Sequence, residues 1–318
     1  MLALVLGCGS VGSRHARNLT ALGVDVAVSD IDEGAAVTLG ASIGATVVAR
    51  DRAPRCELVV VATPTSEHVA DLRWALERGS DVFVEKPLAA SRDGVDAARA
   101  LGRAHPDRIV MIGCNLRFSE GFTAVSANLD AVGRPAALLV DYGWWLPAWR
   151  PAADYRTQYS ARRAMGGGIV LDAIHEIDYT LELAGPAEAV HGGCTSTGVL
   201  EVDVEDVADI AIKHQSRAYS HIHLDYLRRR YSRSCTVIGT EAQITWDVPR
   251  ATVELVREAG AEPEPLAVSV DSDPNGQYVA EMRHMLASVE ARTPTCNDVE
   301  RAAATMEVAL TALEGAVA

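Results

Sequence analysis

The chain has 318 residues, of which 48% are hydrophobic and 23% charged, a composition typical of soluble globular proteins and a length sufficient for two domains. Its formal charge of −14 argues against nucleic acid and membrane surfaces as general partners, and no apolar stretch approaches the roughly 18 residues that a membrane span needs. Six cysteines are scattered without a C-x-x-C pair, which predicts buried thiols in a reducing cytoplasm rather than a disulfide framework.

The predicted elements begin with an apolar run from Leu2 to Leu6 that has the character of a strand. We expect a first strand rather than a signal peptide, because no basic segment precedes the run and it leads directly into the glycine-rich turn 7–12. A helical pattern follows as far as Leu22. Strand, glycine turn and helix together form the context in which G-x-G-x-x-G indicates a dinucleotide site.

Each glycine of this turn has a separate role in a dinucleotide site. Gly7 permits the tight turn, Gly9 places no side chain in the way of a pyrophosphate, and Gly12 lets the helix lie close to the strand. The N–H groups at the helix start, around Ser10 and Val11, are those that would hold the phosphate charge. The alternative is a glycine-rich turn in an α/β domain that binds no dinucleotide.

An acidic residue follows the second predicted strand. The strand runs from Val24 to Ser29 and ends at Asp30, about twenty residues after the glycines. A carboxylate at this point can accept hydrogen bonds from both ribose hydroxyls of the adenosine and would repel a 2′-phosphate. The sequence therefore predicts NAD as the cofactor, in preference to NADP.

Strands and helices continue to alternate as far as residue 113. Predicted strands and helices follow one another at Glu33–Ser42 (helix), 46–48 (strand), Glu57–Ala62 (strand), Ser66–Arg78 (helix), Asp81–Val84 (strand), Ser91–Ala104 (helix) and Ile109–Ile112 (strand). The predicted strand Glu57–Ala62 is continuously apolar from Leu58 onward, as expected for a central parallel strand that is buried on both faces. This alternation predicts an α/β fold with a doubly wound parallel sheet.

The pattern changes after Asn115. A strand at 136–141 precedes an irregular stretch, 142–168, and a stretch of this length is more often functional than not. A helix is predicted from Ile169 to about Ala184. Strand candidates without intervening helices then indicate a second, open and mostly antiparallel sheet, at 189–194, 207–212, 218–224, 234–238, 243–246 and 252–255.

Two helices, at about 277–291 and 299–312, close the chain, and Pro263 and Pro265 indicate a surface connection before them. We predict two domains, residues 1–117 for the dinucleotide and 118–318 for substrate and oligomerisation. The closing helices are free to pack back on the first domain.

Three sequence groups follow strands of the first predicted sheet. They are the glycine turn, Thr63-Pro64 and Glu85-Lys86-Pro87. Ligands of open α/β sheets bind beyond the carboxyl ends of the strands, so these groups should face one crevice. An ammonium at Lys86 could polarise a substrate oxygen or exchange a proton with it. The alternative for Lys86 is a solvated surface charge, which is the usual state of a lysine.

Asp172 and His175 are three residues apart on the predicted helix after the triple glycine, so they share a face. A carboxylate beside an imidazole gives an acid/base pair that can work near neutral pH. The alternative is a helix-surface hydrogen bond. Glu176 and Asp178 should cap or form salt bridges. We predict no metal here, because no third ligand lies at convincing spacing.

These motifs in combination resemble the glucose–fructose oxidoreductase / inositol dehydrogenase (Gfo/Idh/MocA) family over nearly the whole chain. The resemblance implies an N-terminal Rossmann domain and a C-terminal α/β domain whose open sheet commonly mediates dimers or tetramers. It further implies hydride transfer between NAD(P) and a secondary alcohol of a sugar, a cyclitol or a sugar nucleotide.

The resemblance also implies roles for individual residues. Lys86 would contact the nicotinamide ribose and the substrate, His175 would be the general acid/base, and Asp172 would orient the substrate. The motif positions expected to complete the cofactor site are Thr63, Pro64, His68, Glu85 and Asn115.

Arginines and aromatic residues concentrate in the irregular stretch of an otherwise acidic, aromatic-poor chain. Arginine recognises phosphates and carboxylates in two-point contacts, which favours an anionic substrate such as a nucleotide sugar or an acidic sugar. An ordered loop held by Arg–Asp pairs or a subunit contact would explain the composition equally well. The residues that we expect to bind substrate are Arg117, Trp149, Arg150, Tyr155, Arg156 and Tyr159.

The leading hypothesis is an NAD-dependent dehydrogenase of a sugar or sugar derivative that works as a homodimer or homotetramer. One alternative uses NAD transiently, as the glycosidases of this superfamily do, by oxidation, elimination and reduction. Another is a sensor that binds a dinucleotide without turnover, against which the presence of Lys86, Asp172 and His175 argues.

Overall fold

A computed structural model describes residues 1–315. Residues 316–318, which belong to the second predicted domain, lie outside the described residues. The chain forms two compact units. Unit 1 comprises Met1–Cys114 and Tyr278–Ala303, and unit 2 comprises Asn115–Gln277 together with the described residues 304–315. The domain boundary after residue 117 stays a prediction.

Unit 1 is built around a parallel sheet of six strands, in the order β3-β2-β1-β4-β5-β6. This is the strand order of doubly wound dinucleotide-binding folds, and the predicted parallel sheet is confirmed. The central strand β4 is at most 1% exposed at any residue, as its continuous apolar run predicts. The strands are β1 (Leu2–Leu6), β2 (Asp25–Ser29), β3 (Thr46–Val47), β4 (Leu58–Val61), β5 (Asp81–Val84) and β6 (Val110–Ile112).

The α-helices of the described residues alternate with strands in unit 1 and are sparser in unit 2. Helix α2 is capped by the Asp32 carboxylate and α4 by the Ser91 hydroxyl, the cap that the sequence predicts. In chain order they are α1 (Ser10–Ala21), α2 (Glu33–Ile43), α3 (His68–Glu77), α4 (Arg92–Ala104), α5 (Glu120–Ala127), α6 (Ile169–Asp172), α7 (Ile174–Ala184), α8 (Gly276–Ala291) and α9 (Val299–Glu314).

Unit 2 contains a sheet of eight strands, in the order β14-β13-β12-β11-β7-β10-β9-β8. Of its pairings within residues 1–315, β7 with β10 is parallel and the others are antiparallel, which confirms a mostly antiparallel second sheet. The strands are β7 (Pro135–Gly143), β8 (Ala187–Thr195), β9 (Val207–His214), β10 (Tyr219–Asp225), β11 (Ser232–Gly239), β12 (Gln243–Asp247), β13 (Thr252–Val256) and β14 (Glu264–Val268).

Two predicted elements differ from the expectations, and helix α5 was not predicted. The segment around Pro265 is strand β14 rather than a connection, and β14 is an edge strand, where a proline removes no ladder hydrogen bond that the sheet needs. The helix predicted from Ile169 to Ala184 is interrupted at Ala173, whose backbone leaves the helical region (φ −93°, ψ 31°). Asp172 therefore ends α6, and His175 lies in the first turn of α7.

Helix α7 packs on strands β7 and β10 of the unit 2 sheet. Its Ile177, Tyr179 and Leu183 side chains are buried, so the helix that carries His175 rests on a rigid support. All six cysteines are free thiols, and five of them are buried, as predicted. Within residues 1–315, every helix is too short or too polar to cross a membrane.

Candidate active site

The glycine turn of unit 1 has the backbone that the sequence predicts. Gly7 has φ +92°, and a Cβ there would lie 2.5 Å from the carbonyl oxygen of Ala62 at the end of β4. A Cβ on Gly12 would overlap the carbonyl oxygen of Gly7. Both positions therefore need glycine, because α1 crosses directly over the turn that ends β1.

Gly9 differs from its neighbours because it faces open space. A Cβ on Gly9 would meet no described atom within 4 Å. Helix α1 begins at the next residue, Ser10, with Gly9 as its N-cap and no capping side chain from the described residues. An open position beside uncapped N–H groups at the start of a helix suits a phosphate group, so the residues present fit the pyrophosphate of a dinucleotide.

Asp30 lies directly after β2 and supports the glycine turn. Its Oδ2 accepts a hydrogen bond of 2.5 Å from the N–H of Cys8, and its Oδ1 accepts one of 2.8 Å from the N–H of Asp32. The next residue, Ile31, is fully exposed. The carboxylate is thus held in a fixed orientation beside the glycines.

The turn after β5 carries Lys86. Glu85 Oε1 accepts a 2.5 Å hydrogen bond from Nε2–H of His15 on α1, and Glu85 Oε2 accepts the N–H of Lys86 at 3.2 Å. Burial alone would raise the pKa of Glu85, but the His15 hydrogen bond and the charges of His15 and Lys86 outweigh it, so the pKa lies below its usual value. Glu85 is therefore an anion at neutral pH.

His68 and Thr63 hold loops together in unit 1. The ring nitrogens of His68 lie 2.7 Å from the carbonyl oxygen of Pro87 and 2.9 Å from that of Thr63, and the residue is 1% exposed. The Thr63 hydroxyl donates to Asp71. Burial of His68 favours a structural link between the loops after β4 and β5 over the predicted direct contact with NAD, whereas Pro64 remains on the loop surface.

In unit 2, the glycines at 166–168 allow close packing around Asp172. A Cβ on Gly167 would overlap the carbonyl oxygen of Tyr159, and one on Gly168, which has φ +116°, would overlap the carboxylate of Glu205. Two other chain segments therefore approach the backbone at the start of α6. This crowding explains Gly167 and Gly168, whereas Gly166 ends the preceding 3₁₀ turn in the left-handed conformation (φ +80°).

Two tyrosine hydroxyls hold the carboxylate of Asp172. Tyr159 donates to Oδ1, and Tyr226 donates to Oδ2 at 2.6 Å. Burial, together with the charge of Asp172, raises the pKa of both tyrosines well above the usual value. Both hydroxyls therefore stay protonated and keep donating, which fixes the orientation of Asp172.

His175 and Glu205 complete the polar groups near α6 and α7. Both side chains are buried, with His175 at 8% exposure. Glu205 Oε1 accepts the N–H of Val170 at 3.2 Å, and burial raises the pKa of Glu205 to about 6. His175 thus lies in the helix that follows α6, and Glu205 contacts the backbone of α6; buried titratable groups of this kind are typical of catalytic sites.

Arg117, predicted to reach the substrate, forms ion pairs within unit 2. Its guanidinium donates to both oxygens of Asp178, at 2.7 and 3.0 Å, and to Glu182 at 2.8 Å. Asn115 is buried in the same short 3₁₀ helix. Glu176 pairs with the buried Arg233 at 2.7 Å, which confirms salt bridges as the role of Glu176 and Asp178. The substrate role of Arg117 stays a prediction that these pairs disfavour.

Three arginines of the irregular stretch contact acidic residues. Carboxylates pair with the side chains of two of them, Arg156 with Asp154 and Glu201, and Arg162 with Asp203. Arg163 instead donates its backbone N–H to the Asp203 carboxylate and its guanidinium N–H to the Asp203 carbonyl oxygen. These contacts support the alternative of an ordered loop.

Arg150 differs, because its guanidinium donates to the neutral Gln158 at 2.9 Å and lies 6.0 Å from the ring centre of Tyr159. Tyr155 accepts the N–H of Glu201, and Trp149 stacks on Trp144.

Comparison with protein families decides the classification. Residues 1–115 match the model of the oxidoreductase family with an NAD-binding Rossmann fold, and residues 128–245 match the GFO/IDH/MocA C-terminal domain. The chain belongs to the Gfo/Idh/MocA oxidoreductase family. The family resemblance read from the motifs is thereby confirmed, as is the Rossmann fold of unit 1.

The alignment with a curated relative covers part of this chain. An inositol 2-dehydrogenase of Ralstonia nicotianae is 32% identical over 145 residues, which cover 42% of this chain and 43% of that protein. The aligned chain thus spans less than half the length of this relative.

Solved structures match this Gfo/Idh/MocA chain along its length. The UDP-N-acetylglucosamine 3-dehydrogenase GnnA from Acidithiobacillus ferrooxidans superposes with a TM-score of 0.83 at 18% identity, covering 99% of this chain and 97% of that one, and shows the shared fold. GenD2 from gentamicin A biosynthesis, solved in complex with NAD, has a TM-score of 0.82 at 25% identity, covering 99% and 93%.

Four residues around Asp172 and Glu85 were not predicted from the sequence. Tyr226 and Glu205 lie in unit 2 beside Asp172 and α6, and His15 and Glu281 lie in unit 1 around Glu85. His15 is a histidine three residues after the last glycine of the motif, but its partner Glu85 is 70 residues away. The other three carry no local pattern that marks them.

The described residues contain one group of three potential metal-ligating side chains, formed by His15, Glu85 and Glu281 with donor atoms within 4.8 Å of one another. Nε2 of His15 and Oε1 of Glu85 are 2.5 Å apart. Two ligands of one metal ion at about 2.0–2.2 Å from it would lie farther apart than this. At this distance His15 and Glu85 are hydrogen-bonded to each other, and Glu281 lies close by.

Proposed function

We propose that this protein is an NAD-dependent dehydrogenase that oxidises a secondary alcohol of a sugar, a cyclitol or a sugar derivative, or reduces the matching ketone. The carrying observation is that the open glycine turn and Lys86 both follow strands of one parallel sheet in unit 1. Family membership supports the proposal, as do relatives named inositol 2-dehydrogenase.

The proposal assigns cofactor contacts to unit 1. The start of α1 at Ser10 and Val11, with Gly9 open beside it, would hold the pyrophosphate. Asp30 would accept the ribose hydroxyls and repel a 2′-phosphate, which favours NAD over NADP. The exposed Ile31 offers an apolar surface to the adenine ring. Thr63, Pro64 and Asn115 remain proposed cofactor contacts.

The proposal assigns the proton chemistry to Lys86 and His175. His175 takes the proton of the substrate hydroxyl as general base. The Lys86 ammonium stabilises the negative charge that develops on the same oxygen. Asp172, held by Tyr159 and Tyr226, orients the substrate. NAD, when bound, accepts the hydride that leaves the substrate carbon, and the reverse direction uses the same groups.

Arg150 is the main candidate in the irregular stretch for binding an anionic group of the substrate. Of the other arginines of the irregular stretch, Arg156 and Arg162 pair with carboxylates, and the guanidinium of Arg163 donates to the backbone carbonyl of Asp203. Arg150 and Tyr159 would contact a phosphate or carboxylate and the adjoining sugar face. The relatives named above include enzymes of a neutral cyclitol and of a nucleotide sugar, so both classes belong in a substrate panel.

The oligomer is proposed from the second sheet. Leu139 on β7 and Tyr219 on β10 are about half exposed on neighbouring strands, and burial of this face in a homodimer or homotetramer would cover them. Light scattering of the purified protein tests this: a dimer or tetramer mass supports it, and a monomer at micromolar concentration contradicts it.

The test of the function is a panel of sugars, cyclitols, uronates and nucleotide sugars with NAD, followed by the absorbance of NADH. At least one compound should reduce NAD. The His175→Ala variant should then turn over about a hundredfold more slowly, as for loss of a general base, while still binding NAD. His105→Ala, on the C-cap of α4, is the control and should stay active.

Three outcomes contradict the proposal in distinct ways. Unchanged turnover in His175→Ala removes the acid/base assignment. Release of a sugar without net NADH indicates transient use of NAD. Tight NAD binding with no reaction across the panel indicates a sensor.

A further inference from the structure

A buried polar cluster in unit 1 joins four elements of the Rossmann domain. His15 lies on α1, Glu85 follows β5, Cys114 follows β6, and Glu281 lies on α8. The donor atoms of His15, Glu85 and Glu281 lie within 4.8 Å of one another, and His15 and Glu281 are fully buried. The cofactor and proton chemistry proposed above uses neither residue.

His15 is fixed in orientation by the rings around it. Its imidazole packs edge-on against Phe83 of β5, with ring centres 5.0 Å apart, and against Tyr278 of α8 at 6.0 Å. Arg14 lies over the outer face of Tyr278 at 4.4 Å. The hydrogen bond from His15 to Glu85 therefore has a direction that the packing sets.

Glu281 ties α8 to the same place. Its Oε1 accepts the N–H of Cys114, two residues after the end of β6, at 2.6 Å. This bond anchors the backbone at the end of the strand next to β5. Because a buried carboxylate is costly without partners, the Cys114 N–H helps to hold the Glu281 carboxylate in this buried position.

Glu85 connects helix α1, which carries the proposed phosphate site, to Lys86. Helix α1 carries the proposed phosphate-binding N–H groups at its start and His15 one turn later. Glu85 accepts from His15 through Oε1 and from the Lys86 N–H through Oε2. One carboxylate thus links the helix that would hold the cofactor to the backbone of the lysine.

We propose that His15 and Glu281 are positioning residues that, through Glu85, set the place of Lys86 relative to the cofactor held by α1. The inference rests on the proposed function for its kinetic consequence, although the geometric link itself does not. A misplacement of about 1 Å in a catalytic group can cost up to a hundredfold in rate.

The sequence allows a direct observation of Lys86. The 318 residues contain two lysines, Lys86 and Lys213, so protein labelled with ¹³C,¹⁵N-lysine gives two side-chain Cε–Hε signals in an NMR spectrum. Lys213, on β9 and paired with Glu188 at 2.5 Å, is an internal control, and Lys213→Arg assigns the two signals.

The variants are His15→Leu, which removes the donor, and His15→Gln, which retains an N–H at a similar reach. We expect the Lys86 signal to move in His15→Leu and to return most of the way in His15→Gln, with Lys213 unmoved in both. Met285→Ala, on α8 and fully buried, is the matched control for loss of stability, and it should move neither signal.

Kinetics on a substrate from the panel gives the second readout. His15→Leu should lower kcat about tenfold or more while the Kd for NAD stays within about threefold, because the phosphate contacts are kept and Lys86 is displaced. Glu281→Gln keeps an acceptor for Cys114 but loses the charge, and it serves if His15→Leu does not fold. Glu281→Gln should also lower kcat, as His15→Leu does.

The two readouts separate failure of this inference from failure of the proposed function. A Lys86 signal unchanged in both His15→Leu and Glu281→Gln overturns the positioning role, whether or not a substrate is known. An equal loss of kcat in Met285→Ala at the same stability also overturns it. A displaced Lys86 signal in a protein that turns over no substrate supports the link and contradicts only the dehydrogenase.

Discussion

At the scale of single residues, several side chains hold the local structure and are also candidates for chemistry. Asp30 accepts hydrogen bonds from Cys8 and Asp32 and is the proposed ribose acceptor. Asp172 accepts two tyrosine hydroxyls and is the proposed substrate-orienting group. In both cases protein donors fix a carboxylate before any ligand arrives, which lowers the cost of ordering it on binding.

Replacement of Asp30 by Ala tests the cofactor preference. The change removes the ribose acceptor and the hold on Cys8, so the Kd for NAD should rise about tenfold or more, and the preference for NAD over NADP should narrow. Titration calorimetry with both cofactors measures this. Asp25→Ala, at the exposed start of β2, is the control and should bind NAD normally. Equal affinity of the native protein for NAD and NADP would remove the preference for NAD.

At the scale of elements, the sequence predicts best where one periodic pattern decides the structure. The strands β1, β4 and β5 follow from apolar runs, and the turn at Gly7 follows from its motif. The break at Ala173 did not follow, because apolar residues continue through it and a one-residue interruption leaves the pattern unchanged. Strand β14 was missed because Pro265 reads as a breaker unless the strand is known to be an edge.

Candidate site residues follow the same rule. Lys86 and His175 were predicted because each lies in a motif. Tyr226 was not, because its contact with Asp172 spans 54 residues and depends on strand order. The pairing of Arg117 with Asp178 likewise spans 61 residues. Pairings over such separations are set by the fold and have no local sequence pattern.

Strand β10 provides a test of electrostatics. His223 lies between Asp225 and Asp209, at 3.3 and 2.9 Å, with His221 and Arg228 also near these acids. The hydrogen bond to Asp225, followed by that to Asp209, raises the pKa of His223 to about 9 against the opposing effect of burial. The folded state therefore binds this proton more tightly than the unfolded state does.

The contribution of His223 to the stability of the folded state therefore falls as the pH rises. Stability from His223 is fully present below pH 6.5 and is lost as the pH rises to about 9. Because the group is partly exposed, we expect a loss of about 1–2 kcal/mol in the free energy of unfolding. Urea titrations at several pH values should show this loss in the native protein and in the control His221→Gln, but not in His223→Gln. The same slope in all three would refute the assignment.

At the scale of the whole molecule, the proposed chemistry takes its groups from both units. Lys86 belongs to unit 1, and Asp172 and His175 belong to unit 2. The family models likewise match the two parts of the chain separately, at residues 1–115 and 128–245. The central claim is that an ammonium and an imidazole from the two units act on one substrate oxygen.

A double-mutant cycle on turnover tests this claim most directly. Lys86→Met and His175→Ala should each lower kcat about a hundredfold. If both groups act on the same oxygen, the double variant should be only a few fold slower than the slower single variant, because groups that act as a unit are not additive. A double variant slowed by the product of the two effects, about ten-thousandfold, would show that they act independently and would contradict the account.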